Sequence, residues 1–174
     1  MNERAMMVKL EQLESLTTFI HDYYFNRDRI DFDLCTNILS IPFVHEKWED
    51  RVLVSKFLLR KEYRVPDLEY ILRIFHVKSY QIKEPWKDGP GSSDMFLSIN
   101  YDEKKRQLLI LTEFAKGIEI EVEDFEMYLV ETDRVLVTKT HRLIFEPAIN
   151  EDFSDTAARR KDIEKRMRNK GNQR

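Results

Sequence analysis

The chain begins with apolar residues spaced three and four apart. Leu10, Leu13, Thr17, Ile20 and Tyr24 fall on one face of a helix and acidic side chains take the other. This predicts a helix over roughly the first 20 residues, ended by the turn formers Asn26 and Asp28. The period then changes to two. Ile30, Phe32 and Leu34 alternate with Arg29, Asp31 and Asp33, residues 35–37 form a turn candidate, and residues 38–43 return as a second strand. Residues 51–64 form a longer run with Leu53, Phe57, Leu59 and Tyr63 on one face. Pro66 predicts a reversal at 65–67, because proline pre-sets a turn and cannot donate to a central ladder. Residues 69–82 fit another strand with a bend at Val77. Residues 83–94 hold two of the five prolines and two of the four glycines and read as a loop within one domain.

The second half repeats the strand pattern. Residues 95–101 and 106–113 flank the hairpin turn 102–105. In 118–131 the apolar set Ile118, Ile120, Val122 gives way to Phe125, Met127, Leu129. That phase slip predicts a bulge or kink at Glu123–Asp124, since a one-residue slip flips every side chain to the other face. Residues 134–145 read as a last strand. Beyond them, Ser154 or Asp155 caps a predicted helix over 156–170, with Gly171 as its stop. The expected fold is α+β and mainly antiparallel, sandwich or barrel-like, with about eight strands and a helix at each end. Residues 1–153 form a single β-rich domain and residues 154–174 a basic C-terminal helix or tail.

Composition narrows the function classes. The 174 residues are 42% hydrophobic and 11% aromatic, enough for a core despite the 35% charged content. Four glycines, with neither a GxGxxG nor a GxxxxGK pattern, argue against the two common phosphate-cradling loops. Cys35 is the single cysteine, so no disulfide forms within the chain. No apolar run has the length of a signal peptide or a membrane span. A cytoplasmic protein with no membrane segment and no membrane contact is expected.

His21 and Asp22 are the first candidate polar site. Adjacent histidine and aspartate occur in metal phosphohydrolases, but those need further ligands. Neighbouring residues on a helix also diverge by about 100°. The expectation is scaffolding, with Tyr23, Tyr24 and Phe25 anchoring the helix end to the sheet. Glu119, Glu121 and Glu123 form an acidic row with side chains about 7 Å apart on a strand. Two could reach one hard cation, yet a solvated face that discourages edge pairing explains the row as well. Cys35 has no nearby cation to activate it. No catalytic residues, metal ligands or cofactors are assigned, and the pattern reads against an enzyme.

The tail carries the sharpest charge asymmetry. Residues 155–174 net +5 and residues 1–154 net −8. Arg159, Arg160, Lys161, Lys165, Arg166, Arg168 and Lys170 form a candidate nucleic-acid contact, because clustered cations bind phosphates by releasing counterions. No aromatic residue follows Phe153 to stack on bases. The leading expectation is a small binding or interaction domain whose acidic body meets a basic protein partner, as in an inhibitor or immunity-type protein. Nucleic-acid association through the tail is the first alternative and an enzyme site assembled across strands the second. Homo-oligomers are compatible with all three.

Overall fold

The computed structural model describes residues 3–58, 60–83 and 91–144. The predicted C-terminal helix, the seven tail cations and the centre of the 83–94 loop lie outside those residues. Within them the fold is antiparallel β with one N-terminal α-helix. Eleven strands follow the chain: β1 (Glu3–Val8), β2 (Tyr24–Asn26), β3 (Asp31–Asp33), β4 (Ile38–Glu46), β5 (Val52–Phe57), β6 (Arg60–Ile74), β7 (Val77–Ile82), β8 (Ser93–Asp102), β9 (Gln107–Thr112), β10 (Ile118–Val122) and β11 (Met127–Leu143). The strand order is β1-β11-β6-β4-β2-β8-β9-β10-β7, with β3 added on β4 and β5 on β6. Two compact units emerge: residues 3–45 with Leu68–Arg134, and Glu46–Asp67 with residues 135–144.

The first unit holds most of the core. Its helix, α1 (Leu13–Ile20), buries Leu13, Leu16, Phe19 and Ile20. That is a short apolar stripe at helical spacing. The helix is shorter than the sequence predicts. Residues 3–8 are a strand, paired with β11 from Glu3↔Thr132 to Val8↔Met127. A partner far along the chain overrides the local pattern there. Thr17 ties the helix to β8, its Oγ1 accepting from Ile99 N at 3.1 Å. Beneath it lies a string of rings: Phe19 stacks on His45 at 4.0 Å, His45 on Tyr23 at 4.0 Å, and Phe25 on Phe96 at 4.4 Å. Phe43 links Tyr70 and Phe96.

Three predicted strands are broken and two predicted breaks are bridged. Residues 51–64 fold back between Phe57 and Arg60, and 69–82 split at His76, whose φ is +54°. The predicted kink near Glu123 is a full interruption between β10 and β11, with the β10–β7 register already shifting at Glu121/Val122. Conversely, β6 runs straight through Pro66 and β11 through Asp133. Pro66 is tolerated because β5 pairing stops at Arg64, while the proline carbonyl still accepts Lys47 N at 2.8 Å. In β11 the polar pair Glu131–Thr132 is buried but satisfied: Tyr70 donates to Glu131 at 3.1 Å and Thr132 to the Glu69 carbonyl at 2.8 Å.

One turn of the first unit depends on glycine. Gly117 has φ +125°, and a Cβ there would lie 2.7 Å from the Ile110 carbonyl oxygen. The second unit is thinner. It consists of β5, the first half of β6, the last part of β11 and a 3-10 turn at Trp48–Asp50. Its buried apolar side chains among the described residues are Tyr63 and Val65.

Candidate functional site

His21 and Asp22 form a local pair, Nδ1 to Oδ1 3.0 Å, with both side chains about half exposed or more. Asp22 has φ +66° and its N–H donates to the Phe96 carbonyl, so the residue turns the chain out of α1 into the sheet. Tyr23 and Phe25 face the core beside it. The other histidines have other neighbours. His45 sits between Phe19 and Tyr23, His76 pairs with Glu126 at 2.7 Å, and His141 lies 3.4 Å from Glu46. Among the described residues no group of three or more His, Cys, Asp or Glu side chains is arranged to hold a metal ion.

The acidic row is tied up within its own sheet. Lys83 pairs with Glu119 at 2.8 Å, and Ser79 donates to Glu121 at 3.1 Å. Glu119, Glu121 and Ser79 line a shallow cleft of about 470 Å³ with Gln81 and Gln107. Glu123 lies past the end of β10 and does not join them.

Two buried carboxylates that the sequence reading did not single out carry structural loads. Asp94, fully buried, accepts from Met95 N, Phe114 N and Ala115 N at 2.8–3.0 Å and lies 3.1 Å from the Thr112 hydroxyl. Glu69 is bonded by Arg29 at 2.6 Å and Arg134 at 3.3 Å. In the second unit Lys139 bridges Glu46 at 3.0 Å and Asp67 at 3.1 Å. Partial burial pushes its ammonium down, but the bonds and charges of the two carboxylates outweigh that and hold it above the ordinary lysine range. A lysine fixed in its charged form does not serve as a base or nucleophile.

The β5–β6 hairpin is different in kind. All six residues of β5 are exposed, and four of them are Val52, Leu53, Val54 and Phe57. Phe57 is 74% and Leu58 81% exposed. The register pairs Leu53 with Tyr63, Ser55 with Glu62, Lys56 with Lys61 and Phe57 with Arg60, and it skips at Val54. Three local choices oppose the stability of this hairpin. Its apolar side chains face water. Two lysines stand directly opposite each other, which is repulsive. At the tip Leu58 has φ +53°, a conformation that hairpin turns normally give to Gly or Asn. Five cations against Glu62 make residues 51–64 net +4, while residues 1–50 and 65–154 together net −12.

The base of the hairpin is fastened. Arg51 sits over the Tyr63 ring at 5.6 Å, Trp48 lies against Tyr63 and His141, and Arg142 holds Glu62 at 2.9 Å. The base is anchored and the tip is displayed. The signal was present in the sequence as apolar neighbours, Val52 to Val54 and Phe57 to Leu59, that no single-face pattern can bury. Exposed large apolar residues of the first unit, Met7, Leu10, Tyr24, Leu34 and Leu111, come instead from separate segments.

No helix among the described residues is long and apolar enough to cross a membrane. No family model matches the chain, and no curated protein and no solved structure is significantly similar to it.

Proposed function

We propose that the protein is a non-enzymatic docking domain whose binding element is the β5–β6 hairpin. The observation that carries this reading is the exposure of every residue of an apolar, basic edge strand on a fastened base. Edge strands left open and apolar invite association, and folded proteins normally blunt them unless a partner covers them. The choice of residues supports the same reading. Local violations of turn and pairing preference concentrate where a segment serves something other than folding. The sign of the hairpin's charge favours an anionic partner there, in place of the basic partner that the chain's overall acidity suggests.

The test is the double substitution Phe57→Ser with Leu58→Ser. Thermal unfolding is expected to move little, within about 0.5 kcal/mol, because exposed side chains away from the core are removed. Association of the purified protein with cell fractions in a sedimentation assay, soluble and particulate together, is expected to fall sharply. Unchanged association, or a large loss of stability, contradicts the docking reading.

A further inference from the structure

We infer that the surface this hairpin docks onto is an anionic phospholipid membrane face; the inference rests on the docking reading above. The order of side chains along the hairpin carries it. Leu58, at the turn, is outermost of the described residues, and Phe57 and Arg60 stand level behind it. The pair Phe57↔Arg60 and, one step further back, Lys56↔Lys61 set cations on both faces of the ribbon, because successive pairs of an antiparallel ladder point to opposite sides. Further back come Ser55 opposite Glu62, and Leu53 opposite Tyr63. A bilayer surface has the same sequence of layers: hydrocarbon, then phosphate, then water.

The spacing fits as well. Two residues of extended chain separate Lys56 from Leu58, about 7 Å. Interfacial apolar groups sit about 5–10 Å into the boundary between headgroups and acyl chains. Insertion of Leu58 to that depth brings Lys56 to the phosphates, and Arg60, level with Phe57, reaches back to them along its long side chain. An acidic polypeptide would meet the charge too, but it gives no reason for Leu58, the most exposed apolar group described on the hairpin, to lie beyond the cations. The expectation of no membrane contact rested on the absence of a spanning segment, and a hairpin that dips into one leaflet needs none.

The experiment uses the full chain and sucrose-loaded vesicles, either phosphatidylcholine alone or with about three parts in ten phosphatidylserine. Binding is expected only with phosphatidylserine and is expected to weaken as salt rises. Lys56→Gln with Arg60→Gln should cost about 25-fold, at about fivefold per cation. Phe57→Ser with Leu58→Ser should abolish binding. Equal binding to both vesicle types, or binding that survives the Ser variant, overturns the inference. So does a failure to bind either vesicle while cell-fraction association still depends on Phe57 and Leu58; the docking surface is then a polypeptide or nucleic acid. Indifference of the cell-fraction assay to those substitutions is the separate failure of the docking reading itself.

Discussion

At the residue scale, Asp94 shows how a polar side chain can hold a β fold together. It is fully buried, and its two oxygens gather the backbone N–H groups of Met95, Phe114 and Ala115. Arg27 stands 3.9 Å away with its side chain nine-tenths buried and binds the Gly91 and Ser92 carbonyls. One carboxylate thus fixes the start of β8 and the turn after β9. Replacing Asp94 with Ala takes this acceptor from the buried Ala115 N–H and from the part-buried N–H groups of Met95 and Phe114. The expected loss is about 3 kcal/mol or more, read from urea unfolding. A loss under about 0.5 kcal/mol, the range of ordinary surface substitutions, contradicts this role. In the sequence Asp94 looks like one more loop residue after two serines. Its burial is set by residues 20 positions away, so no local pattern reveals it. Asp102 is the opposite case. It accepts from Lys104 N and Lys105 N at 3.0 and 3.1 Å, and those backbone bonds lower its pKa. The turn it forms was legible because every partner lies within three residues.

At the element scale, alternation was informative wherever a strand buries one face and its partner is close in sequence. The β3–β4 pair, with Asp33 accepting from Cys35 N and Thr36 across the turn, follows directly from the period-two pattern. The same pattern misreads β1, because its pairing with β11 closes a loop of more than a hundred residues. It also misreads Pro66, because a gap in the neighbouring ladder is a tertiary property. The hairpin tip yields a prediction with opposite signs. Leu58→Gly removes the strain of a positive φ and should stabilise the protein, by up to about 1 kcal/mol. It should at the same time weaken docking, because the most exposed apolar contact of the tip is lost. If Leu58 served folding alone, stability and association would move together.

At the scale of the whole molecule, the two units divide labour. The first holds nearly all of the buried apolar side chains, and its histidines lie against a carboxylate or a backbone carbonyl. The second carries little core, an anchored base and a displayed basic tip. The sequence reading placed the functional weight on the tail cations and on the acidic body. It read residues 51–64 as one strand with a single buried face, and so missed the arm. Whether a strand faces water is decided by what packs on it, and that is not written in its own residues.

The most direct test places a photo-crosslinking amino acid at position 57 and, separately, at position 34, and irradiates living cells. Leu34 is a fair control: at 76% exposure it matches Phe57 at 74%, and it lies on a turn of the first unit. Docking through the hairpin predicts an abundant adduct from position 57, lipid on the account given above, and little from position 34. Adducts from position 34 with none from position 57 would contradict it.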